Sequence, residues 1–416
     1  MEKILLVTSR SDIVNKVSEY IASGKLPEKE YSFFVEYFTE EIAENLPKYV
    51  FPIKDFAEHG DLEIKIKEIV SNNKYDQVLS IDEFAVYVAA QIREALDIEG
   101  LKCEQARAFR DKMKMKHCLV NSNIRIPQTF SLEQIQSFDY PLPLVAKPRS
   151  LAGGVGVKIL KTREEVESYV ETIKLEESYK DMSEEQVFFE EYFDWDLFYL
   201  DCIVKNKEPI FFSVSKYLGT PLNYLKGEPL ASYTYMPDQV NTTWKSFLEE
   251  IHANFKSPDG VYHIEAFHKE SERPVFLEMG YRPGGGPIID TVKGMFGIDL
   301  LLSHLCLQLK EPVFPPKVKP LNFGGWAMFP KNHQTKESLY VKEVRLPEKT
   351  YESTPLKVYT PKLGERASGE FFCHEDCLGT FIFLGEEFSV KKDLDFVLNH
   401  YQVQISKRGE EDEIRY

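Results

Sequence analysis

The first hundred residues alternate between two hydrophobic periods. Lys3–Thr8 is a short apolar run that reads as a strand. Asp12–Ala22 repeats its apolar positions at helical spacing, with Ser11 or Asp12 near its cap. Residues 32–38 read as a further strand, 62–72 as a helix, 77–81 as a strand and 83–96 as a long helix. Strands and helices in this rhythm imply an open parallel sheet, so 1–110 is expected to form an N-terminal α/β domain. A dinucleotide site is the usual guess for such a unit. The first turn, Thr8-Ser9-Arg10-Ser11, has no G-x-G-x-x-G, so that fingerprint is missing.

The texture changes near Asp111. Residues 112–121 form a basic helical stretch that ends at Ile126-Pro127. Val145-Ala146-Lys147 then leads into Gly153-Gly154-Val155-Gly156-Val157 and a strand to Leu160. That order is strand, glycine loop, strand. A P-loop needs strand, loop, helix and a G-K-[ST] ending, which this chain lacks here. A helix is expected at 164–173. Residues 187–192, 198–204 and 210–217 read as strands of one antiparallel sheet, 244–253 as a helix, 260–268 with 273–279 as a hairpin, and 287–309 as mostly helical. Pro312, Pro315, Pro316 and Pro320 then punctuate a linker. Residues 323–404 read as short strands and turns with one late helix near 392–400, and 407–416 as a charged, frayed tail. The expected units are 1–110, a small subdomain at 111–186, a large one at 187–311 and a β-rich C-terminal domain at 312–416.

Composition narrows the classes. A chain of 416 residues with 43% hydrophobic and 13% aromatic residues can build several real cores. A net charge of −16 argues against nucleic acid or an anionic membrane as partner, without forbidding a local basic pocket for a nucleotide. The six cysteines, at 103, 118, 202, 306, 373 and 377, are too sparse for a disulfide scaffold. The N-terminal apolar run is too short for a signal peptide, and no run has the length to span a bilayer. A cytoplasmic protein is expected.

The chemistry concentrates in Val275-Phe276-Leu277-Glu278-Met279-Gly280-Tyr281-Arg282-Pro283-Gly284-Gly285-Gly286. A strand end would present the Glu278 carboxylate. Arg282 supplies a planar fork of donors for phosphate or carboxylate, and the glycines leave backbone N–H groups uncovered as an anion nest. His263 and Glu265 share a face of the preceding strand, so Glu265 and Glu278 can meet across the hairpin, a pairing that suits Mg²⁺. Lys147 stands before a loop able to fold over a phosphate. Glu190-Glu191-Tyr192-Phe193 offers a carboxylate and backbone groups to a purine edge. Each has a plainer reading: a surface lysine by a turn, solvated acids on an edge strand, two acids on an exposed hairpin. Cys373-His374-Glu375-Asp376-Cys377 lacks a second ligand pair for zinc and reads as a polar turn between strands at 370–372 and 380–384. No G-x-S-x-G or flanked cysteine supports a serine or cysteine nucleophile.

Taken in order, Asp111-Lys112, Lys147 with Gly153–156, Glu190–Phe193, Lys216, Glu265 and Glu278-x-x-x-Arg282 with Gly284–286 resemble the ATP-grasp superfamily of carboxylate–amine or carboxylate–thiol ligases. The block from Phe323 looks like the extra C-terminal domain of the L-amino-acid (dipeptide) ligase branch. The resemblance implies an α/β (α+β) ATP-grasp fold with an N-terminal open parallel βαβ domain and a C-terminal β-rich domain. It implies that Lys112 and Lys147 contact the α/β-phosphates, that Gly153, Gly154 and Gly156 close over the triphosphate, and that Lys216 is a further phosphate contact. Glu190, with the backbone of Glu191 and Phe193, would hold adenine. Glu265 and Glu278 would ligate Mg²⁺ (Mn²⁺ as an alternative), and Arg282 would hold the transferred phosphoryl group. ATP then activates an amino-acid carboxylate as an acyl phosphate, which an amine attacks. The substrates are small-molecule carboxylates and amines, with no nucleic acid and no membrane; a homodimer is common for such enzymes.

Two positions depart from the family. Gly280 stands where many members have a metal-binding Asn, and Leu197 where a ribose-binding acid often stands, with Asp194 or Asp196 as substitutes. Two other readings stay open. One loads the acid onto the thiol of an acyl carrier protein. The other is an ATP-binding regulatory protein without turnover, which Gly280 favours and Arg282 with its glycines opposes.

Overall fold

The computed structural model describes residues 1–36, 50–54, 56, 59–175, 187–240, 242–313, 322–369 and 376–407. Outside these lie the end of the strand expected at 32–38 and the linker prolines 315, 316 and 320. The strand at 370–372, residues 373–375 of the expected turn, and tail residues 408–416 also lie outside them. No helix among the described residues is long and apolar enough to cross a membrane.

The N-terminal sheet is parallel throughout, in the order Val50–Ile53, Glu30–Glu36, Lys3–Thr8, Gln77–Ser80. Its central strand is the apolar run Ile4-Leu5-Leu6-Val7, fully buried because both faces are covered. Ile4 and Leu6 pack on Ile13, Val17 and Tyr20 of the helix Asp12–Ala22. Leu5 and Val7 pack on the helices His59–Asn72 and Ala85–Ala95. Leu301, Leu302 and Leu305, from the distant helix Leu300–Gln308, complete the first of these cores.

A small four-stranded sheet follows, ordered Thr129–Phe130, Val187–Glu191, Leu144–Pro148, Lys158–Leu160. Here the expectation for 187–192 needs correcting. This strand does not join 198–204 and 210–217; it pairs with Leu144–Pro148 and Thr129–Phe130. Three apolar runs in a row gave no sign that the chain leaves one sheet for another at Tyr192. Asp196–Lys205 and Glu208–Leu218 do pair antiparallel, as expected.

The large sheet has eight strands: Val275–Gly280, Gly260–His268, Asp196–Lys205, Glu208–Leu218, Leu230–Thr234, Phe323–Pro330, Cys377–Gly385 and Thr354–Tyr359. All neighbours are antiparallel. The strands after residue 322 therefore extend the sheet that carries Glu265 and Glu278, through pairs such as Leu230↔Met328. Among the described strands after residue 322, Tyr340–Arg345 and Gln402–Ser406 form a separate pair. The stretch read as helical at 287–309 is two helices, Pro287–Phe296 and Leu300–Gln308, divided where Gly297 takes a left-handed φ of 71°.

Candidate active site

The site is assembled where the three sheets meet. Glu265 and Glu278 are register partners on adjacent strands, and a bulge follows between Glu265 and Ala266. Directly opposed residues share a face, so the two carboxylates stand side by side. Tyr217 Oη donates to Glu265 Oε1 at 3.3 Å.

A cation approaches from the helix Lys112–Leu119. Asp111 caps that helix, accepting from the Met113 and Lys114 amides at 2.9 and 3.3 Å, and Arg149 clamps Asp111 at 2.9 and 2.5 Å. Lys112 then reaches Glu278 Oε2 at 3.1 Å and donates to Leu151 O at 2.5 Å. Burial pushes the Glu278 carboxyl up, but Lys112 and Lys147 outweigh it and hold it below the usual carboxylate range.

One turn further, Lys116 lies on the same face of that helix. It meets Glu190 Oε2 at 2.9 Å, while Lys147 meets Glu190 Oε1 at 2.5 Å; all three side chains are 5% exposed or less. Burial opposes the Glu190 charge, and the two ammonium groups still bring its carboxyl below the usual range. In this structure each Glu190 oxygen faces a lysine, where the resemblance implies an adenine contact. The Glu191 amide is likewise taken, by Gln128 O at 2.8 Å. Phe193 is buried in a stack on Phe267 with centroids 5.5 Å apart.

Lys216 also departs from expectation. It is opposed to Phe198 and Phe198 to Ala266, whereas Ser215 is opposed to Tyr199 and Tyr199 to Glu265. Alternation therefore puts Lys216 on the other face from Glu265. There it pairs with Asp196 at 2.7 Å, which also engages one of the acids considered for the ribose.

Arg282 sits beside the carboxylate pair. Its Nε donates to Glu83 Oε2 at 2.9 Å and its Nη1 to Pro283 O at 2.8 Å. Burial lowers its pKa, but Glu83, Glu278 and Glu265 more than offset this and raise it. Glu83 also binds Arg110; burial opposes its charge, and the two arginines bring its carboxyl down to about 2. The glycine triplet is less open than expected. The Gly284 amide donates to Asp201 Oδ1 at 3.0 Å and so is not part of an anion nest, while Gly285 has open space where a Cβ would stand. Asp201, fully buried, also faces His263 Nδ1 at 3.1 Å.

The glycine loop connects Leu144–Pro148 to Lys158–Leu160, and Gly153, Gly154 and Gly156 take left-handed φ of 65°, 82° and 75°. A Cβ on Gly154 would lie 3.3 Å from the Leu222 backbone, so the loop rests against the large sheet's side of the cleft. Sequence reasoning missed Lys116, Glu83, Arg110 and Asp201. Lys116 was legible from its four-residue spacing to Lys112. The other three are joined to the site only by long-range contacts.

Residues 140–291 match a family model described as an ATP-grasp domain. The chain is 24% identical over 272 residues to the L-arginine-specific L-amino acid ligase of Bacillus subtilis, covering 63% of this chain and 64% of that one. It is 22% identical over 296 residues to the alanine–anticapsin ligase of the same organism, covering 65% and 59%. The chain thus spans less than two thirds of the curated relatives it matches. An L-amino acid ligase structure from Bacillus licheniformis superposes with a TM-score of 0.72 at 15% identity, over 97% of this chain and 98% of that one. A phosphoribosylglycinamide synthetase from Anaerococcus prevotii gives 0.65 at 16% identity, over 97% and 99%.

Proposed function

We propose that this protein, which has the ATP-grasp fold and carries an ATP-grasp domain at residues 140–291, is an ADP-forming ligase that joins an amino-acid carboxylate to an amine. The observation that carries the reading is the convergence of Glu265, Glu278, Lys112 and Arg282 on one face of the large sheet. The similarity to L-amino acid ligases supports the choice of acid and amine.

Among the described residues no three acids, histidines or cysteines cluster closely enough to hold a metal by themselves. Two neighbouring carboxylates fit Mg²⁺ (or Mn²⁺), which takes few protein ligands and completes its shell with phosphate oxygens and water. When bound by Glu265 and Glu278 it would neutralise charge on the β- and γ-phosphates.

The chain's own residues supply the rest. Lys112, Lys116 and Lys147 face the triphosphate, exchanging their present carboxylate partners for phosphate oxygens. Arg282 holds the γ-phosphoryl group as the substrate carboxylate oxygen bonds to phosphorus and the bond to ADP breaks. The amine nitrogen then bonds to the acyl carbon, loses a proton, and phosphate leaves. The Gly153–156 loop keeps water from the acyl phosphate. The reading places the enzyme in the cytoplasm, where thiols such as those of Cys103, Cys118, Cys202 and Cys306 stay reduced.

The test is ADP release with Mg·ATP across the common amino acids, with hydroxylamine present to trap an acyl phosphate as hydroxamate. One acid should yield hydroxamate, and Glu278→Gln should reduce the rate about 100-fold or more. ATP binding without hydroxamate from any acid would overturn the reading. Product mass, with free amino acids against an acyl carrier protein, separates an amine acceptor from a thiol.

A further inference from the structure

Gly280 lies in a strand, paired with His263, and its φ is not left-handed. Its backbone therefore does not require glycine. A side chain there would instead make its neighbours shift. A Cβ at this position would lie 2.8 Å from Glu83 Oε2, 3.2 Å from Arg282 Cγ and 3.4 Å from Arg282 Nε. The room left by the missing side chain is filled by the carboxylate of Glu83, from the turn after the strand Gln77–Ser80.

Glu83 arrives three residues after the strand Gln77–Ser80 ends. Its Oε2 accepts from Arg282 Nε at 2.9 Å, and its Oε1 accepts from Arg110 Nη1. Arg110 Nη2 donates in turn to Ser150 O at 2.7 Å, at the start of the glycine loop. The side chains of Glu83, Arg110 and Arg282 are 15%, 14% and 22% exposed, so the network is mostly desolvated. A guanidinium is planar, and fixing two of its nitrogens fixes its plane. With Nε on Glu83 and Nη1 on Pro283 O, the Nη2 side of the fork is left to meet an anion.

We propose that Glu83 is a positioning residue for phosphoryl transfer. It uses the room at Gly280 to set the plane of Arg282, and through Arg110 it links that plane to the loop that covers the triphosphate. This rests on the carboxylate-activation reading above. It also gives Gly280 a role other than that of a lost metal ligand.

The test is a cycle of Gly280→Ala, Glu83→Ala and the double variant, with Glu83→Gln as the conservative change. Each is assayed for kcat, for KM toward Mg·ATP and for melting temperature. Displacing a positioned group by about 1 Å costs about 100-fold in rate, so Gly280→Ala should lower kcat by about that factor. KM should stay within about twofold, because the loss falls on the transition state. The double variant should be little slower than Glu83→Ala alone, since a Cβ at 280 then no longer meets Glu83 Oε2, the nearest of its three contacts. Glu83→Gln, which keeps an acceptor for Arg282, should recover part of the rate. Losses that multiply in the double variant would overturn the proposal, as would single variants that melt earlier but keep kcat. If the unaltered chain makes no hydroxamate, the functional reading itself fails and the role of Glu83 falls with it. A multiplied loss in an active enzyme sinks the Glu83 proposal alone.

Discussion

Lys116 and Lys147 carry amino groups held out of water, and both lie against the Glu190 carboxylate. Burial alone lowers the Lys116 pKa, and the neighbouring Lys147 lowers it further, while Glu190 works against both. Lys147→Met would leave the Glu190 carboxylate with one partner in a nearly dry site. Removing one member of a buried ion pair costs about 3 kcal/mol of stability, and Mg·ATP affinity should fall roughly tenfold or more with the lost phosphate contact. Lys114→Met is the control. It lies on the helix of Lys116, paired with Glu104 near solvent, and should change stability by less than about 0.5 kcal/mol. Chemical denaturation and nucleotide titration of both variants check this. Lys147 before a glycine loop was legible in the sequence because it follows a strand directly. The role of Glu190 was not, because which way its carboxylate points depends on a helix some seventy residues earlier.

Among the elements, the helix Leu300–Gln308 does more than its apolar sequence announced. His304 is fully buried within it. The Val261 amide donates to His304 Nδ1 at 2.9 Å, and Nε2 lies 3.0 Å from Ser80 O. Only the neutral tautomer with its proton on Nε2 satisfies both, so one side chain joins the N-terminal sheet to the large one. Burial brings its pKa down from the ordinary 6.5 to about 3. Between those values the unfolded chain binds a proton that the folded chain refuses, so stability falls as pH drops below 6.5 and the loss is complete near 3. At pH 4.5 the loss from this group is about 2–3 kcal/mol. His304→Gln, which offers the same acceptor and donor without titrating, should lose correspondingly less between pH 7 and pH 4.5. Urea melts of both proteins at the two pH values check it; equal losses would contradict this account.

For the whole molecule, the decisive feature is that the large sheet ignores the proline-rich break in sequence. Trp326 is 1% exposed and packs with Val261, Ile288 and Met295, which come from before that break. Its Nε1 donates to Tyr199 Oη at 3.0 Å, so it is a core residue shared by the two stretches of chain. A chain ending at residue 311 would lack the strands Phe323–Pro330, Cys377–Gly385 and Thr354–Tyr359 and would bare the edge of Leu230–Thr234. It is expected to be insoluble or to lack a cooperative thermal transition. A soluble 1–311 fragment with a sharp melt by circular dichroism would contradict a shared core.

The sequence by itself determined what depends on neighbours along the chain. The apolar run Ile4-Leu5-Leu6-Val7 is a buried strand because both its faces are apolar. Glu265 and Glu278 meet because a hairpin brings its two strands into register over a few residues. Gly153, Gly154 and Gly156 mark a loop because they adopt a left-handed φ at no steric cost. Tertiary structure decided what depends on distant partners. Val187–Glu191 joins a different sheet from the strand that follows it, because strand pairing is a choice among remote edges. Lys216 faces away from the acids because face is fixed by register across the large sheet, which a local pattern of apolar residues does not report. Glu83 reaches Arg282 across 199 positions of chain, into a space that exists only once the sheets have packed.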